Sequence, residues 1–155
     1  MQNRWLNLIC GTLAISAGLW AADPVLGTWK LNVEKSKYGS RPAPKSGAVT
    51  WAEEGGTFHY TSKGVGPDGQ PTLVEIPSFK YDGKDYTVKG SPLVDTVAFT
   101  RADPQHILST GKKDGKPSTT NKSTISKDGK TLTTVWQGTD ASGKPQTWTT
   151  VLEKQ

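Results

Sequence analysis

Apolar and polar residues alternate along short stretches in all but the N-terminal part of this chain. The alternation is clearest around Phe99, which shares one face of its stretch with Val97 and Arg101. A period of two residues is typical of β-strands with one buried face, and no stretch keeps the helical period beyond the single turn that residues 34–38 allow. Pro77 cannot donate a backbone hydrogen bond, so its stretch should lie at a sheet edge or contain a bulge. The pattern predicts ten strands, at about residues 25–33, 46–54, 57–65, 71–81, 84–90, 93–102, 105–113, 116–127, 130–139 and 144–153.

Turn signals separate these predicted strands. Four Asp-Gly pairs and one Ser-Gly pair follow one another at intervals of 14, 32, 14 and 14 residues. Asp-Gly between alternating stretches is a strong hairpin signal, because both central residues of a type I′ turn have positive φ. The longest interval contains two further breaks, Gly90-Ser91-Pro92 and Asp103-Pro104. We therefore predict an all-β fold, an antiparallel up-and-down meander that closes into a barrel of eight to ten strands. The five pairs are Asp68-Gly69, Asp82-Gly83, Asp114-Gly115, Asp128-Gly129 and Ser142-Gly143.

The N-terminal residues 1–22 differ from the rest and are predicted to be a cleaved signal peptide. Arg4 precedes a mostly apolar stretch, and cleavage is expected after Ala21 or Ala22. A membrane anchor is the alternative, but the stretch is shorter than the roughly 20 residues that a membrane-spanning helix needs. A lipidated Cys10 is a further alternative, although no small residue directly precedes it. We expect a secreted or periplasmic bacterial protein without a stable membrane span, whose residues 23–155 form a single domain.

Composition narrows the possible functions. Cleavage would remove Cys10, the only cysteine, and with it any disulfide or thiol nucleophile. The chain has 19 Lys and Arg residues against 14 Asp and Glu. The lysines are scattered through turns, which favours a solvated surface over a nucleic-acid groove. The predicted strands are rich in Thr and Ser and poor in large aliphatic residues, so side chains alone would not fill a wide barrel.

Motifs for catalysis and metal binding are largely absent. The sequence lacks G-x-S-x-G, and neither His59 nor His106 belongs to a metal-binding motif, so we expect no catalytic residue, metal or cofactor. Glu75 shares one face of its predicted strand with Leu73 and Phe79 and could be an internal carboxylate. Together with Tyr60 or Tyr86 nearby it would be the minimum for acid–base chemistry. A small barrel enzyme that uses Glu75, Arg101 or a tyrosine therefore stays an alternative.

Five residues are predicted to line a ligand site inside the barrel: Tyr60, Phe99, Arg101, Trp136 and Trp148. Trp136 and Trp148 lie on the last two predicted strands, which should be neighbours and could form one aromatic wall. The alternative is that these aromatic residues only fill the core. Arg101 could bind an anion, close the bottom of the barrel, or lie in solvent at a strand end.

The first predicted strand contains Gly27-Thr28-Trp29, and the later turns repeat Asp-Gly-Lys. A G-x-W opening on the first strand of a meander resembles the lipocalin and fatty-acid-binding-protein superfamily, the calycins. The whole of residues 23–155 is similar to small secreted bacterial lipocalin-like proteins. The resemblance implies that Gly27 and Trp29 form the barrel base, with a cation over the tryptophan ring. Because the late strands contain no arginine, either Arg101 or Lys154 would supply that cation or the contact would be missing.

The resemblance also bears on the ligand. Fatty-acid-binding proteins hold a carboxylate with Arg-x-Tyr on the last strand, where this chain has Gln146-Thr147-Trp148, so a fatty acid is disfavoured. They also carry a two-helix lid, for which residues 34–45 are too few, so the mouth should be open or covered by a Pro-rich loop. The leading hypothesis is a carrier of a small hydrophobic or amphipathic molecule. The alternative is an envelope or interaction module that uses the barrel-end loops, with its protein partner unknown.

Overall fold

The meander expected from the alternating pattern is confirmed in the computed structural model, which describes residues 22–140 and 142–155. The predicted signal peptide lies outside the described residues apart from Ala22. The described part contains no α-helix and ten antiparallel strands. These are β1 (Gly27–Leu31), β2 (Ser46–Glu54), β3 (Thr57–Val65), β4 (Pro71–Phe79), β5 (Asp85–Thr87), β6 (Thr96–Asp103), β7 (His106–Lys113), β8 (Lys116–Ile125), β9 (Thr131–Thr139) and β10 (Pro145–Lys154).

The ten strands form one sheet with β4 and β5 at its two edges, and these edges come together to form the barrel. Each strand pairs with the next along the chain except at β4 and β5, and β1 also pairs with β10, with Trp29 opposite Lys154. β4 and β5 do not pair directly, and in the described residues a single backbone bridge joins Glu75 of β4 to Lys89, two residues beyond the end of β5. There the backbone N–H of Glu75 donates to the Lys89 carbonyl at 3.0 Å and the Lys89 N–H donates back at 2.8 Å. The result is a nearly closed barrel with one weakly bonded seam.

The Asp-Gly turns use two different geometries. Asp114 and Gly115 both have positive φ, 50° and 74°, as a type I′ turn requires. At the other predicted pairs only the glycine has positive φ, which corrects the type I′ expectation there. The aspartate acts through its side chain, since Asp68 Oδ1 accepts the backbone N–H of Gln70 at 3.0 Å. Asp82 and Asp128 accept the N–H of Lys84 and Lys130 in the same way.

A bulge in β4 changes which side chains face inward. Phe58 lies opposite Phe79 and Tyr60 opposite Ile76, so one residue of β3 faces two residues of β4, one of which is Pro77. Ile76 and Phe79 are consequently both buried although they are three residues apart. The bulge therefore reverses the alternation after Ile76.

That reversal makes the assignment of Glu75 as an internal carboxylate wrong. Val74 and Ile76 face the interior, so Glu75 between them faces outward together with Leu73, which is 46% exposed. The error came from extending a strict two-residue period through the bulge to Phe79.

Trp29 lies at the closed end of the barrel. Its side chain is fully buried, and its indole N–H donates to the Val25 carbonyl at 2.7 Å. The Lys154 ammonium lies 4.9 Å from the centre of a Trp29 ring and donates to the Pro24 carbonyl at 2.9 Å. Of the two cations considered from the sequence, Lys154 is the one that covers this tryptophan.

Arg101 occupies the same end. Its guanidinium makes a two-pronged contact with the Asp23 carboxylate and donates to the carbonyl oxygens of Asp103 and Pro104. It also lies 5.0 Å from the centre of the Tyr81 ring. Only 14% of the Arg101 side chain and 16% of the Asp23 side chain are exposed, so this ion pair ties the segment before β1 to the end of β6.

Candidate functional site: a cavity with two unlike walls

The barrel interior contains a cavity of about 420 Å³. It begins above the packed closed end and reaches the opposite end, where Leu31, Pro44, Leu93 and Val94 border it. A volume of this size falls within the range of roughly 300–1,000 Å³ that is usual for small-molecule sites. The geometry therefore provides a binding space, and its two walls differ in chemistry.

One wall, on β2, β3, β4 and β6, is apolar and aromatic. Trp51 contacts Tyr60 edge-on with ring centres 5.0 Å apart, and contacts Phe99 at 6.1 Å. Ile76 and Val97 complete this wall. Burial raises the pKa of the Tyr60 phenol, which therefore stays protonated and uncharged at neutral pH.

The facing wall, on β7 to β10, carries small polar side chains in neighbouring rows. Ser123 lies opposite Thr134, which lies opposite Thr150, and in the next row Ser109 lies opposite Asn121. The hydroxyls of Ser123 and Thr134 are 2.8 Å apart and share a hydrogen bond. Ser109 is only 6% exposed. Within the part of the chain that the structure describes, neither its hydroxyl nor the Asn121 amide has a hydrogen-bond partner, so both are available to a ligand.

Two stacked tryptophans border the cavity near its mouth. Trp136 and Trp148 lie directly opposite each other on β9 and β10, with ring centres 5.8 Å apart and ring planes 2° from parallel. The Arg41 guanidinium lies over the Trp148 ring, 4.3 Å from the ring centre. The Trp136 indole N–H donates to the Thr150 hydroxyl at 3.1 Å. Trp148 therefore contacts both a second indole and a cation at the rim.

The segment between β1 and β2 holds Arg41 in place. It runs along β10, where the backbone groups of Lys37 and Thr149 exchange hydrogen bonds of 2.8 and 2.7 Å. Further along, the Gln146 amide donates to the Ser40 hydroxyl. Residues 32–45 contain no helix, so this segment does not form a helical lid over the mouth.

The predicted site residues fall into two groups. Tyr60, Phe99, Trp136 and Trp148 all line the cavity. Arg101 does not line it, because its side chain is bound to Asp23 at the closed end. Whether the four aromatic residues bind a ligand stays a prediction, but the fold brings them to one interior space.

Trp51 lines the cavity although the sequence pattern did not predict it to, and the polar wall was likewise not predicted. The sequence contained a signal for the polar wall. Ser109 is two residues from Ile107 and shares its face of the strand, and Asn121 and Ser123 share a face with Ile125 in the same way. Ile107 and Ile125 are almost fully buried, and residues of the same parity must also face inward. The Thr and Ser content of the strands was evident from the composition, but it does not show which of these residues face the interior.

The groups considered for acid–base chemistry are not brought together. Glu75 faces outward, Arg101 is paired at the closed end, and the Tyr86 hydroxyl donates to Asp82 at 3.0 Å in a turn. The residues that the structure describes include no group of three or more His, Cys, Asp or Glu suited to a metal ion. In the same part of the chain, no helix is long and apolar enough to cross a membrane.

Comparisons with known proteins place this architecture. No protein-family model matches the chain, and no curated protein matches it in sequence. A crystal structure of zebrafish ileal bile acid-binding protein complexed with cholic acid is similar with a TM-score of 0.53 and 15% identity, covering 85% of this chain and 99% of that one. Rv2717c from M. tuberculosis is similar with a TM-score of 0.53 and 17% identity, covering 85% of this chain and 93% of that one. At these identities the likeness shows the fold alone: like these two proteins, the chain folds into a nearly closed antiparallel β-barrel.

Proposed function

We propose that this protein is a secreted or periplasmic bacterial carrier that binds a small, partly apolar molecule in the barrel cavity. The observation that carries the proposal is the cavity of about 420 Å³ between an aromatic wall and a polar wall. The bile acid-binding neighbour shows that a barrel of this fold can hold a small amphipathic molecule. The predicted signal peptide supports the proposed location.

The side chains on the polar wall argue against a purely structural interior. Unfilled interior volume destabilises a protein by about 24 cal/mol for each Å³. Larger apolar residues at Ser109, Asn121 and Thr134 would fill part of the space and remove polar groups from the interior. The chain instead has small hydrogen-bonding residues there, which is the composition of a ligand site in which a few polar groups fix the orientation of the bound molecule.

The outer surface gives less support to an interaction module. Four large apolar residues are exposed in the described part, Leu73, Leu93, Leu108 and Val135. Leu108 and Val135 are separated by Lys122, which pairs with both across the sheet. Isolated apolar residues of this kind are normal on a soluble protein and do not mark a partner surface.

Binding of an uncharged apolar dye tests the proposal. Nile red should bind saturably and quench the tryptophan fluorescence, because Trp136 and Trp148 border the cavity. Trp148→Ala should weaken that binding by about 1–2 kcal/mol, as loss of an aromatic contact does.

Val135→Ala is the matched control, since Val135 lies on β9 beside Trp136 but is 40% exposed. Its affinity for Nile red should equal that of the unmodified protein. Absence of saturable Nile red binding, together with no small molecule retained in native mass spectrometry of protein purified from its source, would contradict the carrier function.

A further inference from the structure

Among the residues that the structure describes, no charged side chain lines the cavity. Every lining residue in the described part is aliphatic, aromatic, Gly, Pro, Ser, Thr or Asn. The two arginines of the described part lie elsewhere. Arg41 stacks on Trp148 at the rim, and Arg101 is bound to Asp23 at the closed end.

An ionised group inside this cavity would therefore have no opposite charge beside it. Transfer of a carboxylate or an ammonium group from water into such a space is strongly unfavourable unless an ion pair or several hydrogen bonds replace its hydration. The Asp23 carboxylate illustrates the rule at the closed end, where it is buried together with Arg101. No such pair faces the cavity.

The polar wall nevertheless offers hydrogen bonds of the kind an uncharged oxygen needs. The Asn121 amide provides a donor and an acceptor, and the Ser109 hydroxyl can act as either. The two residues lie opposite each other in one row, and the Ser123–Thr134 hydrogen bond lies in the adjacent row. Across the cavity, Trp51, Tyr60 and Phe99 contribute aromatic rings, and the Trp51 indole N–H has no hydrogen-bond partner in the described residues.

We propose that the ligand is an uncharged molecule with an apolar body and at least one hydroxyl group, and that Asn121 and Ser109 select it by hydrogen bonding to that hydroxyl. The inference rests on the proposed carrier function and gives it a ligand class. It predicts that an alcohol binds more tightly than the carboxylate of the same skeleton. The last strand of this chain contains no Arg-x-Tyr that could bind the acid.

Two matched pairs of probes test the preference at pH 7.5: retinol with retinoic acid, and dodecan-1-ol with dodecanoic acid. Each alcohol should bind at least about tenfold more tightly than its acid, since only the acid brings an unpaired charge into the cavity. Affinities are measured by tryptophan quenching and by isothermal titration calorimetry.

Variants of the polar wall test the residue assignment. Asn121→Leu should weaken retinol binding about tenfold, the usual effect of losing one good hydrogen-bonding partner. The affinity for Nile red should change by less than about twofold, because Nile red has no hydroxyl group. Ser109→Ala removes a single hydroxyl, leaves the backbone and packing least changed, and should weaken retinol by a smaller factor in the same direction. Thr120→Val is the matched control, since Thr120 is the exposed neighbour of Asn121 on β8.

The outcomes separate the two proposals. If either acid binds more tightly than its alcohol, the uncharged-ligand inference is overturned and the carrier function is not affected. If Arg41→Ala then abolishes binding of the acid, the carboxylate lies at the rim. Binding of Nile red without either alcohol, or an unchanged retinol affinity in both Asn121→Leu and Ser109→Ala, would also overturn the inference alone. Failure of all probes, Nile red included, together with no small molecule retained in native mass spectrometry, would overturn both.

Discussion

Asp23 and Arg101 show how one ion pair can fasten the segment before the first strand to the barrel base. Burial by itself would raise the pKa of Asp23, but the hydrogen bonds from Arg101 and from the Val25 backbone hold that pKa below its ordinary value. A carboxyl group whose pKa is lower in the folded than in the unfolded protein stabilises the fold when ionised. Its contribution is therefore complete above the unfolded pKa of about 3.9 and is lost as the pH falls through the folded pKa.

We expect Asp23→Asn to lower the free energy of unfolding at pH 7 by about 2 kcal/mol, between the values usual for exposed and for buried ion pairs. The difference from the unmodified protein should be constant from pH 7 to about pH 5 and should shrink as Asp23 is protonated below that. Urea denaturation at a series of pH values measures it.

Glu54→Gln removes one negative charge from the exposed end of β2 and serves as the control for net charge. It should change stability little at any pH in the series. An equal loss of stability in both variants, or a difference for Asp23→Asn that does not vary with pH, would show that the ion pair has no special role.

At the scale of elements, the seam between β4 and β5 is the least bonded part of the described barrel. Gly90 directly follows the bridge between Glu75 and Lys89 and has a φ of +76°. A Cβ atom at this position would lie 2.1 Å from the Leu73 carbonyl oxygen. Close approach of the two backbones at the seam therefore requires glycine here.

We expect Gly90→Ala to be more destabilising than Gly115→Ala by about 2 kcal/mol, the typical cost of forcing an extra carbon into occupied space. Gly115 is the matched control, because its φ is +74° but a Cβ there meets nothing within 4 Å. Both variants bear the same backbone strain, so the difference isolates the contact with Leu73.

Amide hydrogen exchange locates the effect of this substitution. In Gly90→Ala the Glu75 and Lys89 amides should exchange faster, whereas those in the β1–β10 pairing should keep their protection. Equal stability of the two alanine variants would mean that the seam relaxes without cost and that its single bridge is not a constraint.

The strands and their order could be predicted from the sequence because turn residues mark nearly every strand end. The predicted second and third strands, 46–54 and 57–65, coincide with β2 and β3. The misplacement of Glu75 has a local cause, since Pro77 indicated a bulge but not how many residues it would add. The partner of Arg101 could not be predicted, because Asp23 is 78 residues away in the sequence and only barrel closure brings them together.

The candidate site was predictable to a similar extent. The large aromatic residues stand out in a sequence, and alternation assigned Tyr60, Phe99, Trp136 and Trp148 to the interior. Small polar residues such as Ser109 and Asn121 are common on outer faces too, so only the strand register shows that they meet. The absence of charge from the lining is a property of the closed barrel and not of any one strand.

The molecule as a whole is divided between a packed end and an open end. Trp29, Phe79 and Arg101 with their neighbours fill the closed end, while the polar wall and the aromatic wall enclose space at the other. A ligand that binds only the folded barrel must raise its stability in proportion to the logarithm of the ligand concentration. The cavity and the global stability are therefore linked.

We expect a probe that occupies the cavity to raise the free energy of unfolding by about 2.7 kcal/mol at a free concentration 100 times its Kd. Retinol is the first probe, and thermal denaturation with and without it measures the increase in Tm. Asn121→Leu should show a smaller increase at the same retinol concentration. A saturating probe that leaves Tm unchanged would bind the unfolded chain equally well, and so would not occupy the cavity.

The pairing of β1 with β10 also fixes when the barrel can exist during synthesis. The ribosome makes β1 first and β10 last, yet Trp29 lies opposite Lys154, and the Gln155 N–H donates to the Thr28 carbonyl at 3.0 Å. Until those last residues emerge, β1 and β9 each present an unpaired edge, and such edges readily pair with other chains. A nascent chain of this protein must therefore avoid aggregation through these open edges until β10 has been made.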